Sequence, residues 1–140
     1  MRLVADTNVV ASALLWGGIP GQLLHAAFEN RIALFTCTPL LAELADILSR
    51  RKFEQKIAAS GYSPEQLVER YALLAVPVHP VAIPRTVRDP DDDVVLATTL
   101  AAQANIIATG DQDLLSLHPR REIQILNAAD ALNVVQSGKA

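Results

Sequence analysis

Residues 3–6 read Leu-Val-Ala-Asp, a short apolar run that ends in an acid. The pattern returns along the chain: Glu43 follows the strand-like run Ile32–Thr38, and Asp111 follows Ile106–Thr109. Such buried strands alternating with helices predict an α/β fold with a parallel sheet. Because the carboxyl ends of parallel strands meet at one edge of a sheet, we expect these acids to lie close together.

The alternation continues to the end of the chain and predicts three layers, α/β/α, around a mostly parallel sheet of about five strands. Prolines 77 and 80 place the third strand at an edge of the sheet. The predicted strands are Leu3–Ala5, Ile32–Thr38, Val76–Val81, Ile106–Thr109 and Glu122–Leu126. The predicted helices are Val9–Leu15, Gly21–Asn30, Pro39–Arg50, Pro64–Leu74 with Ser63 as its N-cap and Gln66 at its third position, Val94–Ala104, a short turn Leu114–Leu117, and one from the cap Asn127 through Val135, with a loop at Ala82–Asp92.

Size and composition indicate one domain. The chain has 140 residues, of which 51% are hydrophobic, enough to bury a core. We expect the domain to span residues 1–135 and residues 136–140 to form a loose tail. No apolar run is long enough to cross a membrane, and the N-terminus has no signal-peptide pattern. The single cysteine, Cys37, falls in a predicted strand and cannot form an internal disulfide, so we expect a cytoplasmic protein.

The charge of the chain is unevenly distributed. Its net charge of −3 argues weakly against nucleic-acid binding, which usually leaves a basic surface. Eight of the twelve basic residues nevertheless fall in three patches, which are Arg50-Arg51-Lys52 with Lys56, Arg85 with Arg88, and Arg120-Arg121. Each patch alone is typical of a solvated surface. Around an acidic metal pocket, the three together could instead hold a phosphate backbone.

Each acid also has an ordinary structural interpretation. An aspartate after a strand commonly caps a helix, but Thr7 could cap the first helix and leave Asp6 free to face the site. Glu43 lies near the start of a helix, where the dipole favours a carboxylate. At the Thr109-Gly110-Asp111-Gln112-Asp113 turn, we expect Asp113 to cap the short helix and Asp111 to face the site.

Three adjacent acids, Asp91, Asp92 and Asp93, are harder to explain by capping alone, because their mutual repulsion calls for a cation. Asp93 shares a helical face with Ala97 and Leu100, so we choose it as the inward ligand and Asp92 as the second choice. Magnesium and manganese prefer oxygen ligands and are usually held by a few carboxylates together with substrate phosphate. The acids therefore predict an Mg²⁺ or Mn²⁺ site suited to phosphodiester hydrolysis.

The order of these motifs resembles the PIN domain family, and in particular the VapC-type toxin ribonucleases. The resemblance rests on Val4-Ala5-Asp6-Thr7-Asn8, on Glu43 within Pro39–Leu44, on Asp93–Ala97, and on Thr109-Gly110-Asp111. It implies a PIN-like sandwich and a metal-dependent endoribonuclease that cleaves single-stranded RNA. It also implies dimerisation and silencing by an antitoxin protein. The catalytic and metal-binding residues it implies are Asp6, Glu43, Asp93 and Asp111, supported by Asn8, Asp92, Thr109 and Asp113.

Two other functions stay open. A metal-dependent phosphatase or phosphotransfer domain also uses aspartates at strand ends, although a receiver-like domain needs a late lysine, and only Lys139 in the tail is late. A PIN-fold protein could instead bind a partner without catalysis. The three histidines lack zinc-ligand spacing. Trp16, in a glycine-containing loop, is either a packed anchor or an exposed contact for a base or a partner chain.

Overall fold

A computed structural model describes residues 1–80, 90–117 and 123–138 of the chain. Its centre is a sheet of five parallel strands in the order β3-β2-β1-β4-β5. This confirms the predicted α/β class and the parallel sheet. The strands are β1 Arg2–Ala5, β2 Ala33–Thr36, β3 Val76–Pro77, β4 Ile106–Ala108 and β5 Gln124–Leu126.

Helices connect the strands. They are α1 Thr7–Trp16, α2 Gly18–Phe28, α3 Thr38–Leu48, α4 Glu54–Ser60, α5 Pro64–Leu74, α6 Pro90–Ala102, α7 Gln112–Leu115 and α8 Ala128–Ser137, with a 3₁₀ turn at Arg51–Phe53. Two of the predicted caps are confirmed. Ser63 and Gln66 form a reciprocal capping box at the start of α5, and Asn127 caps α8.

The core lies on both faces of the sheet because successive strand residues point to opposite sides. Leu3 and Ala5 of β1 pack into one apolar cluster with Ile106 of β4 and with α1, α2, α3, α5 and α8. Val4 packs into the other cluster with Ile107 and with residues of α6. All of these strand residues are buried. Continuous apolar strands of this kind are typical of a parallel sheet that is covered on both sides.

Several predicted boundaries were wrong. The second strand ends at Thr36, and Cys37 is the N-cap of α3 rather than a strand residue, although it is fully buried. Helix α2 begins at Gly18, directly after Gly17, whose φ of 71° few side chains tolerate. The 3₁₀ turn and α4 were not predicted. Gln136 and Ser137, expected in a loose tail, belong to α8.

The largest shift concerns α6, which begins at Pro90 instead of Val94 and therefore contains the three adjacent acids. Proline favours the first turn of a helix because it needs no backbone N–H there. Some predictions lie outside the described residues: the loop at 82–89, the basic patches Arg85 with Arg88 and Arg120-Arg121, and the strand residues Val81 and Glu122.

In the parts of the chain that the structure describes, no single helix has the length and hydrophobicity needed to cross a membrane. Helices α1 and α2 meet those criteria only when they are taken together, and the chain bends by 97° between them.

Candidate active site

The predicted site lies at the point in the sheet where the strand order reverses. β1 is followed by β2 on one side, whereas β4 pairs with β1 on the other side. Ala5 and Ala108 are partners at the carboxyl ends of these two strands, and the backbone N–H of Asp6 donates to the Ala108 carbonyl at 2.8 Å. Ligands of open α/β sheets bind in the crevice at such a switch point. The residues that follow Ala5 and Ala108 are therefore the natural candidates for chemistry.

Asp6 is the most constrained of these residues. It is only 5% exposed, and its two carboxylate oxygens have different roles. Oδ1 accepts from the backbone N–H of Thr7 at 2.7 Å, and Oδ2 accepts from the hydroxyl of Thr109 at 2.7 Å. The expectation that Thr7 caps α1 was wrong, since Asp6 is the N-cap. A carboxylate has two oxygens, so Asp6 can cap the helix with one and face β4 with the other.

Asp111 lies three residues after the end of β4, and Thr109 holds the position that corresponds to Asp6. Oδ1 of Asp111 accepts from the backbone N–H groups of Asp113 at 2.8 Å and Leu114 at 3.3 Å, which makes Asp111 the N-cap of α7. The expectation that Asp113 is the cap was wrong because α7 begins at Gln112, two residues earlier than predicted. The N–H of Asp111 donates to the Thr109 hydroxyl at 3.0 Å. Thr109 thus links the backbone of Asp111 to the carboxylate of Asp6.

Three carboxylates form a group that could hold a metal ion. Asp92, Asp111 and Asp113 each offer one oxygen, and these oxygens all lie within 4.8 Å of one another. Asp92 is 4% exposed. At that separation two ionised carboxylates repel by about 1 to 3 kcal/mol, depending on how well solvent screens them. A hard divalent cation offsets this repulsion and prefers oxygen donors, so the donor set fits Mg²⁺ or Mn²⁺.

The burial of Asp92 follows from the face of α6 that packs against the sheet. Asp92 occupies the third position of this helix, near the positive end of the helix dipole. Residues three, four and seven positions later share its face, and Val95, Leu96 and Thr99 are all buried. With α6 in this phase, Asp92 enters the acidic group. From the sequence, Asp93 was the predicted inward ligand and Asp92 the second choice, although the i+3, i+4 and i+7 neighbours of Asp92 carried a signal for its burial.

The remaining predicted residues lie around this centre. Asp93 is half-buried on α6, and Glu43 is half-buried on α3, which packs against both α1 and α6. Neither belongs to the group formed by Asp92, Asp111 and Asp113. Asn8 is exposed in the first turn of α1. The catalytic roles predicted for Glu43 and Asp93, and the supporting role of Asn8, stay predictions.

A cavity lies away from the group formed by Asp92, Asp111 and Asp113. It has a volume of about 760 Å³ and is lined by residues of α1, α2 and α5, including His25, Phe28 and Arg70. None of the predicted acids lines it. Its size alone does not make it the reactive centre, because it lacks the carboxylates that converge at the ends of β1 and β4.

Comparison with known proteins agrees with this geometry. The PIN domain family matches residues 2–113, which span β1 through the acids of α7. The chain belongs to the PIN domain family. An uncharacterized protein of Methanocaldococcus jannaschii is 30% identical over 128 residues, which cover 91% of this chain and 81% of the archaeal protein. No solved structure matches the chain.

PIN domains are generally nucleases and usually use divalent metal ions. In this PIN domain, the match ends at Asp113, the last member of the acidic group. The matched residues 2–113 thus include Asp6, Asp92 and Asp111, which lie near the carboxyl ends of β1 and β4. Membership of the PIN domain family and the three carboxylates both support a divalent-metal site.

Proposed function

We propose that this PIN domain is a metal-dependent endoribonuclease that hydrolyses phosphodiester bonds in single-stranded RNA. The observation that carries the proposal is the convergence of three carboxylates, from Asp92, Asp111 and Asp113, beside the buried Asp6. Among the described residues this group contains carboxylates and no lysine or histidine, which suits metal-assisted hydrolysis better than covalent catalysis.

Asp92, Asp111 and Asp113 would hold the ion. When bound, Mg²⁺ or Mn²⁺ lowers the pKa of a coordinated water and offsets negative charge on the phosphate. The chain itself holds these carboxylates in position. Two backbone N–H groups fix the carboxylate of Asp111 through Oδ1, and burial fixes Asp92.

Asp6 and Thr109 set the relative position of the two strand ends. The Thr109 hydroxyl donates to Asp6 and accepts from the Asp111 N–H, so Asp6 cannot move without disturbing the loop that carries Asp111. Such contacts orient metal-binding groups, and their loss commonly reduces metal affinity or activity by about 10- to 100-fold.

The test is cleavage of a labelled single-stranded RNA by the wild-type chain and by Asp6→Asn, each at the same saturating concentration of Mg²⁺. Asparagine keeps an oxygen for the Thr7 N–H, so we expect the fold to persist and cleavage to fall by about 10- to 100-fold. Equal cleavage by the two proteins would refute the site. Hydrolysis of a phosphate monoester in place of RNA would favour the phosphatase alternative.

The toxin role is part of this proposal and rests on the sequence resemblance. As a toxin component, the enzyme would act in the cytoplasm, form a homodimer and be silenced by an antitoxin. Induced expression of the wild-type chain would then arrest growth, whereas expression of Asp6→Asn would not. Growth that continues with the wild-type protein at an equal level, while RNA is cleaved in vitro, would leave a nuclease without the toxin role.

A further inference from the structure

A cluster of aromatic and basic residues lies away from the acids. Trp16, the last residue of α1, is 53% exposed, and its ring meets Phe53 edge to face with the centroids 5.7 Å apart. The ammonium of Lys56 lies over the Trp16 ring at 5.4 Å, and that of Lys52 lies over the Phe53 ring at 5.0 Å. We call these four residues the aromatic–lysine cluster.

The cluster carries positive charge on a chain that is negative overall. Residues 50–56 contain four basic residues and one acid, against a net charge of −3 for the chain. Arg50 contacts Asp46 at 3.5 Å, whereas Lys52 and Lys56 face the aromatic rings. A half-exposed indole beside two ammonium groups combines a stacking surface with charges that attract phosphate. Proteins that bind single-stranded nucleic acids combine the same two features.

The position of the cluster suits a strand that reaches the acids. Asp6 caps α1 and Trp16 ends it, so the two lie at opposite ends of one helix of ten residues. At a rise of 1.5 Å per residue, they are about 15 Å apart along the axis. A nucleic-acid strand covers that distance with about four nucleotides at a stacked spacing of roughly 3.4 Å.

We propose that the aromatic–lysine cluster is a subsite that stacks one base of single-stranded RNA and holds its phosphates, about four nucleotides from the acidic centre. This inference rests on the proposed ribonuclease function. A base that stacks on the indole takes the place of the Lys56 ammonium, and the flexible lysine then reaches the backbone phosphate. The exchange is favourable because base stacking on an aromatic ring contributes more than a cation–π contact at an exposed site.

Trp16 is the only tryptophan in the chain, so its fluorescence reports directly on the subsite. Titration of the wild-type chain in EDTA with an eight-nucleotide single-stranded RNA should quench the emission to a plateau. The same RNA as a blunt duplex should quench it far less, because its bases are already stacked. Binding of the labelled octamer, measured separately by anisotropy, without a change in Trp16 emission would overturn the inference and leave the nuclease proposal intact.

Substitutions distinguish the contribution of base stacking to RNA binding from the contribution of charge. Trp16→Ala should weaken octamer binding about tenfold, and Trp16→Phe, which keeps a ring, should weaken it less. Lys52→Gln with Lys56→Gln should lower the slope of log affinity against log salt concentration by about one to two. The control is Phe28→Ala, which removes a 73% exposed ring that the lysines do not cover. We expect Phe28→Ala to bind as the wild type does, and equal losses in Phe28→Ala and Trp16→Ala would contradict the assignment.

Two further outcomes distinguish the RNA subsite from the proposed nuclease activity and from a protein interface. Quenching and Trp16-dependent binding without RNA cleavage in Mg²⁺ would support the subsite and refute the nuclease. If Trp16→Ala instead converts a dimer to a monomer in sedimentation and leaves RNA affinity unchanged, the cluster is a protein interface and the inference fails. Circular dichroism of Trp16→Ala and Trp16→Phe verifies that both variants are folded.

Discussion

The hydroxyl of Thr109 donates to Oδ2 of Asp6 across the ends of two neighbouring strands, at 2.7 Å. Both residues are buried, and the same hydroxyl accepts from the N–H of Asp111. One side chain therefore fixes the relation between two acids that are 105 positions apart in sequence. We expect Thr109 to affect catalysis although it is uncharged.

Replacement of Thr109 by valine keeps the shape and removes both hydrogen bonds. We expect Thr109→Val to lower kcat/KM for RNA by about 10- to 100-fold, because Asp6 and the Asp111 loop lose their common anchor. Its free energy of unfolding should fall by about 1 to 3 kcal/mol. Steady-state cleavage kinetics and urea unfolding measure the two effects.

Two controls accompany this variant. Thr109→Ser keeps the hydroxyl and should retain most of the activity. Thr99→Val makes the same change at another buried threonine, whose hydroxyl donates to the Val95 carbonyl within α6. If Thr99→Val and Thr109→Val lose activity equally, the effect comes from general destabilisation, and the anchoring role of Thr109 is wrong.

Metal binding distinguishes Asp92 from Asp93. Mn²⁺ at about 100 times its dissociation constant should stabilise the wild-type chain by about 2.7 kcal/mol, which corresponds to a rise in Tm of about 8 °C. EDTA should reverse that rise. Asp92→Asn should abolish the shift because it removes the negative charge of one of the three grouped carboxylates.

Asp93→Asn is the matched control, since it makes the same change one residue further along α6. We expect it to keep most of the Mn²⁺-dependent shift. The reverse result, with the shift lost in Asp93→Asn and kept in Asp92→Asn, would favour the ligand chosen from the sequence. Differential scanning fluorimetry with and without Mn²⁺ measures these shifts without requiring activity.

The contrast between Asp92 and Asp93 shows what the sequence could predict about the site. The parallel sheet and the position of Asp6 at its carboxyl edge followed from apolar runs that end in acids, since the carboxyl ends of parallel strands meet at one edge. The sequence did not reveal which face of α6 is buried. Three adjacent acids fit a loop or a first helical turn equally well, and which of them is buried depends on which face of α6 packs against the sheet.

Other misses have the same origin. The 3₁₀ turn and α4 lie in a polar stretch with no strong apolar period, so they are held by packing of Ile57 and Phe53 against the core. The capping box at Ser63 was predicted because it is a local pattern: the hydrogen bonds join residues only three positions apart. This reciprocal pattern could be read from sequence, whereas the single caps assigned to Thr7 and Asp113 were wrong, and the buried face of α6 depends on distant contacts.

The capping box itself can be tested. Ser63 accepts from the Gln66 N–H at 3.1 Å, and Gln66 accepts from the Ser63 N–H at 2.8 Å. Ser63→Ala should lower the free energy of unfolding by about 1 kcal/mol. The control, Ser49→Ala, removes a hydroxyl that donates to the Ala45 carbonyl and should change stability by less than about 0.5 kcal/mol. A smaller loss in Ser63→Ala than in Ser49→Ala would mean that the box does not stabilise α5.

Tyr71 lies in the hydrophobic core. The residue is 3% exposed, and its hydroxyl has no hydrogen-bond partner among the described residues. Removing a buried group that lacks a partner costs no hydrogen bond, so Tyr71→Phe should keep or raise the free energy of unfolding at pH 7. Urea unfolding measures this change. A loss of more than about 1 kcal/mol would show that the hydroxyl is hydrogen-bonded in solution.

The same variant has an expected pH dependence. Burial raises the pKa of Tyr71 well above its usual value, and Cys37 nearby adds to the rise. The unfolded chain therefore ionises this tyrosine first, so its contribution to stability is complete below pH of about 10 and is lost as the pH rises further. Above pH 10, the wild-type chain should lose stability more steeply than Tyr71→Phe, by up to about 1.4 kcal/mol per pH unit. Parallel slopes for the two proteins between pH of about 10 and 11 would contradict the raised pKa.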